Sequence, residues 1–512
     1  MSRGKGSGTR FKNSLRNSSV AFVGQILTLL LGFGVRWLFV RTLGKEYLGV
    51  NSVMESMLAL LSMTELGIGT SVAFALYQPI DDGDERRIGT LMAFYRKTYH
   101  VIGLLTAVLG PLLIPFMHFF TREATAVADV NLIYLLFLAN TVISYFFAYK
   151  RTLLSAYQCS YVNSVTEDLF AVLKYVLQGV SLVCFKSFIG YLVINVVCTV
   201  GTNIVISVIC DKKYPFTKAY RREKLYAEDK AILKKSIVSL MYQKIGAKLV
   251  TGTDNLMISY ANIALMGVYS NYAMIVSIIS RIVFNVLGAI TGSIGNLMVQ
   301  KDKELKYNVF EEFVFATFAF YCMISVGMAG CLERFIALWA GEDWVLPHMI
   351  TFVVILNFFL TGMRQPNVVV IEAAGLFNRL RMKAVGEVVV NLVVSFVFLI
   401  VFQMGIYGVL FGTTVSMVSV CIWWETLAVH RYALEAPQGR FYGNYCKYLA
   451  TAAVGCFAAF AASEAIPVGG IPGLLVSGVA AMAIFALLIF VLFWRSRPFK
   501  ALLARFTRRL SR

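Results

Sequence analysis

The sequence predicts an all-α polytopic membrane protein: about fourteen transmembrane helices in two six-helix lobes related by pseudo-symmetry around a central cavity, a further C-terminal helix pair, and both termini in the cytoplasm. Three observations predict it. The 512 residues are 58% hydrophobic and 15% charged, with a mean hydropathy of +0.71, above what a water-soluble globule tolerates. Apolar runs of about 20 residues, enough to cross a bilayer as helices, tile nearly the whole length. The basic residues are also asymmetric. With the N-terminus inside, Arg41, Lys45, Arg122, Lys186 and Arg334 fall on the outer side, and Arg36, Lys174, Lys244, Lys248 and Arg281 fall within spans. The rest of the 47 Lys and Arg fall in tails, inner loops and their flanks. The net charge of +19 therefore reads as orientation signal and lipid-headgroup contact, with no nucleic-acid role.

Spans are expected near 17–42, 48–77, 89–120, 125–148, 160–184, 188–210, 232–261, 265–299, 305–332, 346–372, 381–403, 406–430, 442–463 and 470–494. They divide the chain into a cytoplasmic basic tail (1–16), an N-terminal six-helix lobe (17–210), a cytoplasmic linker (211–231), a C-terminal six-helix lobe (232–431), the additional helix pair (442–494) and a second basic tail (495–512). The first span is too long and lacks the small-residue cleavage site of a removed signal, so it is expected to remain. The linker, DKKYPFTKAYRREKLYAEDKAILKK, is basic and ends as an amphipathic surface helix, which reads as a connection that lets two lobes move. Pro366 in MRQPN is expected to break the tenth span. The last pair is apolar and rich in small residues, so it reads as lipid-facing, and the tail RSRPFKALLARFTRRLSR reads as a basic inner-leaflet helix.

Charges inside the spans carry the functional reading. A Lys or Asp at the centre of a membrane helix opposes insertion by roughly 2.5–3.5 kcal/mol, so such residues must be paired or face water. In the first span Gln25, Gly32 and Arg36 share a stripe, and in the second Glu55 shares a face with Asn51 while Glu65 flanks it. Lys174 is a buried-looking cation of the fifth span. The stretch Ser236 to Arg281 is the most densely charged: Lys244, Lys248, Thr251 and Asn255 fall on one stripe and Asp254 on a neighbouring one, and beyond it Arg281 aligns with Asn285, Gly288 and Gly292. A shift of 218 residues superposes Leu48–Val50 on Met266–Val268 and Arg36 on Asp254, a weak internal repeat of the kind that builds alternating-access transporters. Arg36, Lys174, Lys244, Lys248, Arg281, Asn255 and Asn285 are thus candidate substrate-binding residues; Asp254, Glu65 and Glu55 could couple to a proton or sodium ion, or could simply pair with these cations. The nine cysteines include no CxxC and read as buried thiols, and the four histidines are scattered, so no metal, cofactor or catalytic residue is expected.

GTDNLMISYANIALMGVYSNYAMI at Gly252–Ile275, with LGKEYLGVNSV at Leu43–Val53, ELGIGTSVAFALYQPI at Glu65–Ile80 and SIGNLM at Ser293–Met298, resembles the polysaccharide flippases of the multidrug/oligosaccharidyl-lipid/polysaccharide exporter superfamily. The likeness spans the whole chain in hydropathy and these stretches in motif. It implies a carrier that moves undecaprenyl-pyrophosphate-linked oligosaccharide repeat units from the inner to the outer leaflet of a bacterial cytoplasmic membrane, in company with glycan synthesis and polymerase proteins. It also implies cavity arginines by helix, at Arg36 and Arg281, and a last helix pair that shelters the lipid tail. An ion-coupled drug or metabolite exporter of the same fold would need a cavity dominated by carboxylates. A membrane glycan polymerase or glycosyltransferase would need a large extramembrane loop with acidic or histidine groups, and the long loop here is a basic linker, so no enzyme is expected.

Overall fold

The computed structural model describes residues 7–510 apart from Leu66, Arg222 and 299–301; the side chains of 7–23, 64, 239–240, 242–244, 247, 286–298, 377–378 and 505–510 are outside the description. The described residues are helical and turn, without a strand. Backbone contacts divide the chain into two compact units, Met1–Gly267 and Val268–Arg512. The first holds α1 (Ser7–Thr42), α2 (Lys45–Leu61), α3 (Ile68–Asp82), α4 (Glu85–Leu109), α5 (Ile114–Thr121), α6 (Val130–Ala156), α7 (Ser160–Val180), α8 (Phe188–Lys213) and α9 (Ala227–Ala261). The start of α10 (Ile263–Met298) closes this unit and its remainder opens the second. There follow α11 (Lys303–Trp339), α12 (His348–Met363), α13 (Gln365–Ala373), α14 (Arg381–Phe396), α15 (Ile406–Ser416), α16 (Trp423–Val429), α17 (Gly439–Ala465), α18 (Gly470–Phe493) and α19 (Arg497–Leu510).

Twelve described helices are long and apolar enough to cross a membrane, and each coincides with an expected span. The two others differ for physical reasons. The second expected span is broken: α2 ends in a tight 3₁₀ turn at Ser62–Glu65, and Gly67, at φ 87°, takes a left-handed conformation open to glycine before α3 begins. The seventh lies within α9, a continuous 35-residue helix whose Lys244, Lys248 and Asp254 lower its hydropathy. The tenth breaks at the proline, since α12 stops at Met363 and Pro366 enters the first turn of α13.

In unit 1, α1 packs on α7, α7 on α8, α8 on α6, and α6 on α4 and α3. The core along α3, α4, α6 and α8 includes Val72, Leu76, Leu91, Tyr95, Leu154 and Ile206, all at most 1% exposed. Expected to start a second lobe at 232, α9 instead packs on α2, α3 and α5, so the compact unit runs to Gly267. The linker is not free either. Tyr214 stacks on Tyr157 at 4.2 Å, Arg86 pairs with Glu223 at 2.8 Å, and Arg87 grips the nearly buried Asp229 at 2.5 Å. A Cβ on Gly89 would lie 2.6 Å from Tyr220, so the linker sits flush on α4.

One contact in this unit is reciprocal. A Cβ on Gly49 would meet the carbonyl oxygen of Ile263 at 2.0 Å, and a Cβ on Gly267 would meet that of Lys45 at 2.1 Å. Lys45 and Ile263 are the first residues of α2 and α10, and the glycines the fifth, so each helix lays its opening turn on the other's glycine. Positions 45 and 263, and 49 and 267, are related by the 218-residue shift seen in the sequence.

In unit 2, α11 is the hub, packing on α12, α17, α18 and α19. Gly330 lies against Ala481 and Gly455 against Val326, so small residues seat the last helix pair on the hub. Arg334 of α11 donates to the backbone carbonyls of Ser463, Ile466 and Val468, filling the open C-terminal end of α17, while His348 lies between Glu333 and Glu464 at 2.5 and 3.2 Å. The outward side of α18 presents Leu475, Val479, Leu487 and Phe490, each at least 60% exposed, which suits lipid.

Candidate functional site

The predicted in-span charges of unit 1 come together from three helices. Arg36 on α1 is half-buried, and Glu55 of α2 and Tyr191 of α8 act on its guanidinium electrostatically. Lys174 of α7, also half-buried, sits over the Tyr175 ring at 4.9 Å and within the electrostatic reach of the same Glu55. Asn51 Nδ2 donates to Glu55 Oε1 at 2.9 Å, one helical turn away on the same face, and so fixes the carboxylate. Two cations from different helices therefore lie within electrostatic reach of one carboxylate. Glu55 is exposed although it lies inside an apolar helix, which requires water or a polar ligand beside it. The cluster has the chemistry of a phosphate or carboxylate site: a planar guanidinium for two-point contact, an ammonium for charge, and tyrosine hydroxyls alongside.

The other candidates separate from this cluster. Glu65, expected to act with Glu55, follows the α2 break and lies within reach of Tyr95, Tyr99 and Tyr145, whose rings are edge-to-face at 4.7 and 6.0 Å. Phenols that can donate to it surround this carboxylate. Asn255, expected to face substrate, instead donates to Ser56 Oγ of α2 at 3.0 Å, and Asp254 beside it is buried. These two residues meet packed protein because α9 lies against α2, whereas Thr251 of the Asn255 stripe is exposed. Lys248 is exposed on α9, and the side chain of Lys244 lies outside the described residues. Arg281 and Asn285 are exposed on the unit 2 part of α10. Of the cysteines expected to be buried, Cys184 and Cys446 are exposed. Among the described residues no group of His, Cys, Asp or Glu is placed to hold a metal.

The sequence reading missed a second cluster, in unit 2. Arg364, at the break between α12 and α13, holds Glu425 of α16 with two hydrogen bonds, at 2.7 and 3.1 Å, and faces Glu387 of α14 at 3.6 Å. Lys383 of α14 bridges the same two carboxylates at 2.9 Å each. All four side chains are at most 15% exposed, and their charges cancel. Two signals pointed here: Lys383 and Glu387 lie four apart on one helix face, and Glu425 is a lone acid in an apolar span.

No protein-family model and no curated protein matches the sequence. Among solved structures, the chain is similar to an inward-facing multidrug resistance MATE family transporter of the MOP superfamily, with a TM-score of 0.64 at 13% identity over 80% of this chain and 95% of that one. It is similar to the lipid II flippase MurJ in an inward closed conformation, with a TM-score of 0.64 at 12% identity over 92% and 98%. A MOP superfamily transporter from Pyrococcus furiosus, described as having a binding pocket of reverse polarity, matches with a TM-score of 0.52 at 14% identity over 83% and 97%. At such identities the likeness is one of fold. The chain is a multi-pass membrane protein with the all-helical fold of MOP superfamily transporters.

Proposed function

We propose that the chain is a flippase that carries undecaprenyl-pyrophosphate-linked oligosaccharide repeat units from the inner to the outer leaflet of a bacterial cytoplasmic membrane, by alternating access. The observation that carries this reading is the gathering of two in-span cations, Arg36 and Lys174, about one exposed carboxylate, Glu55. A pyrophosphate leaving water needs cations to replace its hydration, and a neutral drug does not. The membrane potential adds to it, since an inside-negative potential favours outward movement of an anion by about 2.3 kcal/mol per charge per 100 mV. Arg281 and Lys248, exposed on α10 and α9, are further phosphate or sugar contacts in this proposal, as are Lys244 and Asn285. Glu55, Glu65 and Asp254 are the candidates for proton or sodium coupling. The test is exchange of charge: Arg36→Glu with Glu55→Arg keeps the pair and moves the cation. Restored export of surface glycan means that the two residues only pair, whereas lost export with normal protein abundance means that Arg36 meets the substrate.

An ion-coupled drug or metabolite exporter is the second reading. Glu55 favours it, because a carboxylate left exposed inside an apolar helix can take a proton or sodium ion. Drug accumulation in cells that carry or lack the chain separates the two. So does gene context: adjacent glycosyltransferases and a polymerase go with the first reading.

A further inference from the structure

Away from these clusters, at the end of unit 1 that the charge asymmetry places in the cytoplasm, lies a cavity of about 80 Å³. Its wall brings together Arg96 of α4, Lys150 of α6, and Lys218 and Arg221 of the linker, against one carboxylate, Asp211 of α8. Asp211 is already shared: Lys150 contacts it at 2.7 Å and Lys218 at 3.0 Å. Lys150 is fixed further by a 2.6 Å bond to Ser207 Oγ and is only 13% exposed. Arg96 is half-buried, and no described residue accepts a hydrogen bond or ion pair from it. Met92, Leu153 and Cys210 line the cavity with apolar surface that strengthens charge interactions.

A surface kept basic only to set orientation would let its cations spread into water. Here the linker is docked on α4 by the Arg87–Asp229 pair and the Tyr220–Gly89 contact, so four cations line one concave space against one carboxylate, with three positive charges uncompensated. Like charges held this close repel unless an anion sits among them. An anionic tetrahedral group that accepts several N–H donors at once suits both the charge and the donor set.

We propose that this cavity binds a phosphate group, supplied either by the headgroup of an anionic inner-leaflet lipid or by a free phosphomonoester, and that the bound phosphate holds the linker on α4. The site is separate from Arg36 and Lys174, so it stands whether or not the chain moves a glycan.

The test uses the purified full-length chain in lipid nanodiscs, without a transport readout. Native mass spectrometry measures retention of phosphatidylglycerol against phosphatidylcholine, and thermal unfolding is followed with inorganic phosphate against chloride. Phosphatidylglycerol retained in preference, and displaced by inorganic phosphate, identifies a lipid source. A saturable phosphate-dependent rise in melting temperature without lipid retention identifies a free phosphate. In either case Arg96→Gln with Lys218→Gln weakens binding about tenfold or more, as expected for lost charge-assisted hydrogen bonds. Arg221→Gln, at an exposed mouth position, gives a smaller loss in the same direction and serves should the double variant fail to fold. Equal retention of both lipids with no phosphate effect on the wild type overturns the proposal, as does unchanged binding in the double variant, or in Arg221→Gln where that stands in for it.

Discussion

The two units handle charge inside apolar helices in opposite ways. In unit 1, Arg36 and Lys174 gather about a single carboxylate, Glu55, which is exposed within an apolar helix. In unit 2, Arg364 and Lys383 meet Glu387 and Glu425 in a closed set, nearly buried and electrically neutral. A neutral, mutually paired set can stay in a dry interior, whereas an exposed charge inside an apolar span needs water or a polar ligand. The first arrangement is suited to a visiting ligand and the second to holding helices in register.

The sharpest way to break this contrast is to remove one partner of the closed set. Glu425→Ala leaves Arg364 and Lys383 short of a counter-charge and is expected to destabilise unit 2 by about 3–5 kcal/mol, read as a large drop in detergent melting temperature or loss of folded protein. Replacing the pair together, Arg364→Met with Glu425→Leu, leaves the Lys383–Glu387 bridge balanced and should recover most of that loss. A Glu425→Ala protein that melts like the wild type would mean that water reaches the set.

Next comes the open cluster, where function should fall and stability should not. Arg36→Ala is expected to cut glycan export at least about thirtyfold, the equivalent of losing about 2 kcal/mol of charge-assisted contact, while abundance and melting temperature stay close to the wild type. Normal surface glycan would remove Arg36 from the mechanism. A collapse in abundance would put Arg36 in the same structural class as Arg364.

A third comparison sets tight glycines against a loose one. Gly49→Ala and Gly267→Ala each place a Cβ about 2 Å from a backbone carbonyl that cannot rotate away, and each is expected to cost about 1–3 kcal/mol through forced separation of α2 and α10. Because the crossing is reciprocal, the two losses should be similar. Gly34→Ala, with nothing within 4 Å of its Cβ, should leave the melting temperature unchanged or raise it by the helix preference of alanine, up to about 1 kcal/mol.

Much of the architecture was legible because bilayer-length apolar runs are a one-dimensional signal; twelve of the expected spans reappear as helices of suitable length and composition. The breaks were legible only where a residue type imposes them: Pro366 was read correctly, whereas the turn before Gly67 was hidden in an apolar stretch that reads as one continuous helix. Individual charges were visible, but their company was not. That Glu55 serves both Arg36 and Lys174, and that Glu65 sits among tyrosines, depends on how five helices pack. Arg364 and Lys383 adjoin a proline and a basic turn, and charge asymmetry assigns such residues to headgroups, so their pairing was not visible. The stripe of Asn255 misled for a related reason: helical periodicity shows which residues share a face, not what each of them meets, and here Asn255 meets Ser56 while Thr251 and Lys248 are exposed.

The linker, read as a free connection and found docked, yields the smallest expected effect, from two neighbouring arginines. Arg86 and Glu223 are 63% and 37% exposed, and an ion pair so open to water contributes little to docking. Arg87 holds Asp229 through both carboxylate oxygens, and Asp229 is only 4% exposed, so its loss strands an acid that water reaches poorly. Trypsin reads the difference, because the linker carries Lys212, Lys213, Lys218, Arg221 and Lys224 and is cleaved only when it lifts from α4. Arg87→Ala should speed cleavage in this segment several-fold, in line with the roughly 1 kcal/mol expected of a partly buried charged pair, and Arg86→Ala should leave the rate near that of the wild type. Equal rates in all three proteins would mean that the Tyr214–Tyr157 stack and the Tyr220–Gly89 contact alone fasten the linker, and the electrostatic strap would lose its part in the docking.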